Sequence, residues 1–336
     1  MTTAGGDAPV ARVVDAVLEA TVAGSFSRIG FVSRRAVARW DTPPPMDGRV
    51  VLVTGATSGI GRAAAVGLGR LGAAVHLLGR DGERAAAAAR QVEGAGGTVA
   101  GVHLVDLGDL EATADLGARL AAGGGRLDAL VHNAGALAAT FGTAACGVER
   151  TVATGLLGPF SLTRALAPML AATPSSRIVT VSSGGMYAQR FDLARLVMDE
   201  RTYHGVTAYA RVKRAQVVLA AEWGRRLGDE GVTSVAVHPG WVDTPGLVAG
   251  LPTFRRVWRP LLRTAEEGAD TVVWLAAGGA GPDVPAGGIW HDRRRHSAYH
   301  VPGTRPERRQ AADEGPALWA WCEALTGSGR VGPSPG

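Results

Sequence analysis

The stretch that most narrows the fold is Val50-Val51-Leu52-Val53, a short apolar run rich in β-branched residues. It passes without a break into Thr54-Gly55-Ala56-Thr57-Ser58-Gly59-Ile60-Gly61 and then into a segment of helical composition. A strand, a glycine loop and a helix in this order form the phosphate-binding end of a βαβ unit. Glycine lets the backbone turn and approach a pyrophosphate, and the free N–H groups and dipole of the following helix favour its negative charge. In a chain with 48 glycines a glycine cluster alone says little, because tight turns use the same residue. Its place between strand and helix is what gives it weight.

The same grammar continues downstream. Short strands are expected at Ala74 to Leu78, Val99 to Leu104, Leu127 to Val131, Ile178 to Val181 and Val232 to Val237, with helices at Gly61 to Leu71, Glu83 to Glu93 and between the later strands. Alternating strands and helices imply right-handed crossovers and a doubly wound parallel sheet, an α/β fold of Rossmann type in a single domain spanning 48–303. Residues 1–47 stand apart. Val10, Val13, Val14, Val17, Leu18 and Val22 have helical spacing, and Pro43-Pro44-Pro45 ends the segment, so it reads as an amphipathic arm and linker. Residues 304–336 turn Pro-, Arg- and Gly-rich, with one short helical patch at Leu318 to Leu325, and read as a loosely held tail.

Composition excludes some partners. Of the 35 basic residues only Lys213 is a lysine, so the net charge of +5 reflects an arginine bias more than a nucleic-acid surface, and no zinc spacing or ribonucleoprotein motif supports such a partner. Cys146 and Cys322 are isolated, which fits a reducing compartment. With no secretory-signal order at the N-terminus, a cytoplasmic location is expected. Peripheral membrane contact through residues 10–39 is the alternative, because the apolar stripe is followed by Arg28, Arg34, Arg35 and Arg39, while Asp15 and Glu19 interrupt the positive face.

Tyr209-Ala210-Arg211-Val212-Lys213 is the strongest catalytic candidate. Residues four apart on a helix share a face, so an ammonium stands beside a phenol. Lowering a phenol from pKa ~10 to ~7 takes roughly 4 kcal/mol of preferential phenolate stabilisation. A fixed cation has the right sign to supply it, and the phenol could then exchange a proton with a substrate oxygen. A lysine placed at random in this chain would fall four after a tyrosine about once in 80 trials. Arginine, used everywhere else, is too broad and forked to replace a compact amine.

These pieces resemble the short-chain dehydrogenase/reductase family. TGATSGIG is similar to its cofactor loop, TGxxxGxG, and YxxxK is its active-site signature. The resemblance implies cofactor contacts from Thr54, Gly55, Ser58, Gly59, Ile60 and Gly61. His132-Asn133-Ala134-Gly135 resembles the family's NNAG element with its first Asn replaced; His132 itself reads as a buried sheet-end residue. Asp106, followed by Leu107, resembles the aspartate that meets the adenine ring. Arg80 stands where NAD-dependent relatives place an acid on the ribose, which favours NADP(H) over NAD(H), although Asp81 follows it. Ile178 to Gly184 resembles the strand ending in the substrate-polarising serine, Ser183. By that match Tyr209 exchanges the proton, and Lys213 holds the nicotinamide ribose and lowers the tyrosine pKa. Pro239, Gly240, Val242 and Thr244 resemble the turn that holds the carboxamide.

One expected residue is missing. Gly155 stands where the family carries a fourth catalytic residue, an Asn, whose backbone carbonyl holds a water next to the lysine. The resemblance implies a looser helix, reduced activity, and a turnover that rises or holds when Asn is restored. The insertion between Ser183 and Tyr209, with the segments 238–246 and 288–293, is similar to the dehydrogenase/reductase family member 12-like subgroup. Trp241, Phe254 and Trp258 lie where the family covers its substrate, so an apolar small alcohol, ketone or aldehyde is expected. Two readings follow: an NADP(H)-dependent oxidoreductase, or a dinucleotide-binding regulatory or scaffold protein with weak or lost turnover, for which Gly155 is the sign. No metal site is expected, and monomer and homodimer both stay open.

Overall fold

The computed structural model describes residues 9–19, 21–135, 137–281, 284–285, 287–301 and 303–327, the side chains of 9–12, 308 and 309 excepted. Three helices come first: α1 (Pro9–Glu19), α2 (Val22–Phe26) and α3 (Arg28–Ala38). Strands and helices then alternate as β1 (Val50–Thr54), α4 (Gly59–Arg70), β2 (Ala74–Gly79), α5 (Gly82–Gly94), β3 (Thr98–Leu104), α6 (Leu110–Ala122) and β4 (Ala129–His132). Next are α7 (Arg150–Val152), a π-turn at Ala153–Leu157, α8 (Gly158–Ala172), β5 (Arg177–Val181), α9 (Gly205–Leu227) and β6 (Thr233–Val237). The chain closes with α10 (Pro245–Gly250), α11 (Pro252–Trp258), α12 (Ala265–Ala276), β7 (Ile289–His291), β8 (Arg294–His296) and α13 (Arg308–Gly327).

The strands form one sheet in the order β3-β2-β1-β4-β5-β6-β7-β8, parallel throughout except for the β7–β8 hairpin. This is the doubly wound Rossmann-type arrangement. The central strands are apolar on both sides because helices cover both faces: β4 and β5 are wholly buried, whereas β3 at the edge alternates. One core packs Leu130, Ile178, Phe160, Leu166, Leu219 and Trp223 together, and the other packs Val51, Val53, Val131, Val179, Leu68 and Val272.

The N-terminal helices and the segment 304–327 are more firmly attached than their composition suggests. Phe31 and Arg34 on α3 are buried, and the Arg34 guanidinium meets Asp292 at 2.8 Å and Asp15 at 2.7 Å. Arg263 shares Asp292 and also donates to the Ser25, Phe26 and Ser27 carbonyls, so the N-terminal helices are tied to the β7–β8 hairpin by buried charge. The segment read as a loose tail carries the 20-residue helix α13. Leu318, Trp319 and Cys322 of this helix enter the core, where Trp319 meets Trp223 at 4.4 Å and Phe160 at 4.9 Å. The Pro- and Arg-rich surroundings masked a short apolar stripe that finds α9 as its partner. Residues 328–336 lie outside the described residues. In the run Arg293 to Arg295, Arg293 forks onto Asp270 at 2.8 and 2.7 Å, and Arg294 pairs with Asp15.

Candidate active site

The strand order reverses between β1 and β4, and the crevice above that point is where open α/β sheets bind ligands. The glycine loop lies there. Gly55 and Gly59 have φ of +65° and +51°, the left-handed region that only glycine adopts without strain. A Cβ on Gly61 would sit 2.3 Å from both the Gly55 carbonyl and Asn133 Nδ2, so this position needs glycine for close approach. Thr54 and Asn133 are the pillars beneath the loop: Thr54 Oγ1 accepts from the N–H groups of Asn133 and Ala134 at 3.1 Å each, and Asn133 Nδ2 donates to the Thr54 and Gly55 carbonyls. Ser58 caps α4 without a side-chain hydrogen bond, which leaves the first N–H groups of that helix to an outside acceptor. A tight glycine turn beneath an uncapped helix start fits a pyrophosphate. Ile60 and Val242 turn their side chains against Gly268 of α12.

At the end of β2 and β3, Arg80 Nη1 pairs with Asp106 Oδ2 at 3.1 Å, with both side chains exposed. An exposed pair of this kind is held weakly, so the guanidinium can be drawn to a stronger anion. Asp81 is already engaged, accepting from Arg84 N as the N-cap of α5. Asp106 Oδ1 accepts from Gly108 N at 2.9 Å, an aspartate turn that aims the carboxylate outward. Leu107 is a core residue whose carbonyl abuts Gly158.

Lys213 is buried on α9, and its amine donates to the Val181 carbonyl at 2.7 Å. Burial without a carboxylate partner lowers its pKa from 10.5 to about 7. The amine lies 5.5 Å from the Tyr209 ring centre and 3.4 Å from where a Cβ on Gly135 would stand. Tyr209 is half-buried, and Ser183 makes a hydrogen bond to it. Desolvation raises the Tyr209 pKa above 10 and the Ser183 bond only partly offsets this, so in the protein alone the phenol shifts opposite to the direction the sequence suggests. Ser182 is structural, donating to the Lys213 carbonyl at 2.9 Å.

The turn after β6 closes the other side. Gly240 has φ of +83° and lies against the Arg263 guanidinium, whose Nη1 reaches the Pro239 carbonyl at 3.5 Å. Thr244 Oγ1 accepts from Leu247 N as the cap of α10 and keeps its own hydrogen for another acceptor. Its Cγ2 is 3.2 Å from where a Cβ on Gly59 would be, so the glycine loop and this turn face each other across the crevice. Over the turn, the Trp241 ring centre lies 5.0 Å from Phe254, 5.1 Å from Trp258 and 6.3 Å from Phe26.

Gly155 sits in the π-turn, and its carbonyl accepts from Gln216 Nε2 at 2.6 Å. A Cβ there would lie 2.7 Å from Val212 Cγ1, so restoring Asn meets a clash that the sequence did not reveal. The contacts that Gln216, Arg263 and Phe26 make around the site were missed in the sequence. Gln216 could have been noticed as lying one turn after Lys213 on the same face; Arg263 and Phe26 gave no local signal.

The comparisons agree with this geometry. A family model described as short chain dehydrogenase matches residues 49–250. The chain is 35% identical over 275 residues to dehydrogenase/reductase SDR family member 12 of Bos taurus, covering 82% of this chain and 86% of the relative. It is 33% identical to polyprenol dehydrogenase of Mus musculus, covering 95% and 96% of the two chains. The structure of a short chain dehydrogenase from Burkholderia cenocepacia in complex with NADP superposes with a TM-score of 0.60 at 27% identity, covering 75% of this chain and 98% of that one. The chain is thus an enzyme of the short-chain dehydrogenase/reductase family, oxidoreductases that act on an alcohol or carbonyl group with a nicotinamide dinucleotide.

Proposed function

We propose that this protein interconverts an alcohol and a carbonyl on an apolar small molecule, with NADP(H) preferred over NAD(H) and Tyr209 as general acid/base. The observation that carries this reading is the meeting of Tyr209 with Ser183 and Lys213, the phenol hydrogen-bonded by Ser183 and the amine 5.5 Å from its ring centre. The bound nicotinamide would supply or accept the hydride. In the reducing direction the Ser183 hydroxyl donates a hydrogen bond to the substrate oxygen while Tyr209 Oη gives it a proton. Lys213, oriented by the Val181 carbonyl, stabilises the phenolate left behind and keeps its other hydrogens for the ribose.

Thr54, Gly55, Ser58, Gly59, Ile60 and Gly61 would hold the pyrophosphate, with Asp106, Leu107, Asn133, Ala134 and Gly135 along the adenosine half and the ribose. Pro239, Gly240, Val242 and Thr244 would take the carboxamide. Arg80 supports NADP(H), since Asp81 is committed to capping α5. The NADP complex of a relative with the same fold points the same way. The Trp241, Phe254 and Trp258 cover supports an apolar substrate, in line with a relative named for polyprenol.

Residues 48–303 form the catalytic domain in this reading, with 1–47 and 304–336 as additions to it. Val13, Val17, Val22, Ile29 and Val32 are exposed on the N-terminal helices beside Arg35 and Arg39, a face suited to peripheral contact with a membrane. Arg28 and Arg34 pair with Glu267 and Asp292 instead of serving that face. Among the described residues no helix is long and apolar enough to cross a membrane. The decisive experiment is a panel of ketones, aldehydes and secondary alcohols with NADPH and NADP⁺, read by nicotinamide absorbance, with Tyr209→Phe as control. Turnover that survives Tyr209→Phe removes the assignment.

A further inference from the structure

His132, at the end of β4, and Gln216, one turn beyond Lys213 on α9, are both buried. Each keeps one polar atom without a partner: Nδ1 of His132 and Oε1 of Gln216. Both residues line one small pocket, with Gly155, Thr163, Thr180 and Trp223, in which about 10 Å³ is open to the centre of a water.

The hydrogens in this cluster can be placed from its bonds. Thr163 Oγ1 donates its only hydrogen to the Pro159 carbonyl at 2.8 Å, so toward His132 Nε2, at 2.6 Å, it accepts. Nε2 is therefore the protonated nitrogen and Nδ1 a bare lone pair. Burial keeps the ring neutral, pushing its pKa down to about 3. Gln216 Nε2 donates to the Gly155 carbonyl at 2.6 Å; turned over, the amide would place two acceptor oxygens at that distance, so Oε1 is the atom left to the cavity. Two residues that line one pocket thus each carry an acceptor with no hydrogen to meet it. A water donates two hydrogens, and the space takes about one water.

We propose that this cavity is a built water site, one water donating to His132 Nδ1 and Gln216 Oε1, and that Gln216 is thereby a positioning residue for Lys213. An i→i+5 turn leaves a carbonyl loose in its helix, and the loose carbonyl of Gly155 is gripped by the amide of Gln216. The grip fixes the π-turn against α9 one turn from the amine. The water holds the far end of that amide, so the oxygen does not rotate toward the carbonyl. With no side chain at position 155, the contact runs from the lysine's own helix to the turn.

The water site stands on geometry alone, whereas the effect on Lys213 rests on the catalytic reading above, so the two are tested separately. A crystal structure of the full chain at about 1.5 Å resolution is expected to show one water within hydrogen-bonding distance of both atoms. An empty cavity, or a direct contact between the two side chains, overturns the site whether or not the enzyme turns over. For the second part, Gln216→Leu is expected to fold, to leave the KM for NADPH within about threefold, to lower kcat about tenfold, and to move the limb of the pH profile set by Lys213 by at least about half a unit. Gln216→Met, which fills the same volume, guards against a packing artefact and should behave alike. Folded variants with wild-type kcat and an unmoved pH profile overturn the positioning role.

Discussion

Removing the Lys213 charge should stabilise the fold while destroying activity, and the gain should depend on pH in a calculable way. Burial lowers the amine pKa from 10.5 to about 7, so between these values the unfolded chain binds more protons than the folded one. Stability therefore rises with pH across that window, and the burial cost is full below pH 7. The shift corresponds to roughly 5 kcal/mol near pH 6 and about 1.4 kcal/mol near pH 9.5. Lys213→Met abolishes this cost, but it leaves the Val181 carbonyl without the hydrogen bond seen at 2.7 Å, worth about 1–2 kcal/mol. Net stabilisation of about 3 kcal/mol near pH 6 should shrink to almost nothing near pH 9.5. Urea unfolding of both proteins at the two pH values measures this, because the other titrating groups cancel in the difference. A variant whose advantage does not change with pH would falsify the buried, depressed lysine.

Lys213→Arg should lower kcat/KM by about a hundredfold, a transition-state loss of about 2.7 kcal/mol, because a fork neither fits the space of a compact amine nor gives up its charge; steady-state kinetics with cofactor titration decides it. Arg80→Ala should erase an at least tenfold preference for NADPH over NADH, and equal wild-type affinities in fluorescence titrations would remove the assignment. Gly155→Asn should cost about 1–3 kcal/mol of stability, since its Cβ would lie 2.7 Å from Val212 Cγ1, and Val212→Ala should recover part of that loss in thermal melts. Asp292→Asn should cost about 3–5 kcal/mol by leaving Arg263 and Arg34 buried without their carboxylate, and an unchanged melting curve would count against that cluster.

What could be read in the sequence was the chemistry that is local in the chain. The glycine loop needs its residues consecutive, and Tyr209 and Lys213 share a face because a helix repeats, so both were legible before any coordinates. Ser183 was singled out by the resemblance of Ile178 to Gly184 to the family's serine-bearing strand, not by any local chemistry of its own. The clamp on the N-terminal helices was not legible, since Arg34 meets Asp292 across 258 residues and nothing at either position marks the other. Gln216 escaped for a different reason: its partner is the Gly155 carbonyl, and a backbone acceptor has no residue type to betray it. The burial of Tyr209 was not legible either: sequence suggests the neighbouring charge, whereas in the protein alone desolvation has the larger effect on the phenol.

The buried cations obey a division of labour that accounts for the single lysine. Where a positive charge must persist in the interior, the chain uses arginine and surrounds it with acceptors: Arg263 has both oxygens of Asp292 and three carbonyls of residues 25 to 27, and Arg214 takes the Gln189 and Ala298 carbonyls. A guanidinium so held keeps its proton at any physiological pH. At position 213 the amine donates to one carbonyl, that of Val181, and among the described residues no carboxylate pairs with it. Such a site would impose on arginine a charge it could not shed, at the full desolvation cost. A lysine there can stay close to neutral until an anion arrives. On the proposed reading that anion would be the phenolate of Tyr209, formed as its proton leaves for the substrate oxygen, and a proton taken up from solvent would then make the ammonium the favoured form. Under that reading an amine lowered to about pKa 7 would strengthen its attraction in the transition state more than in the ground state, which is the difference catalysis requires.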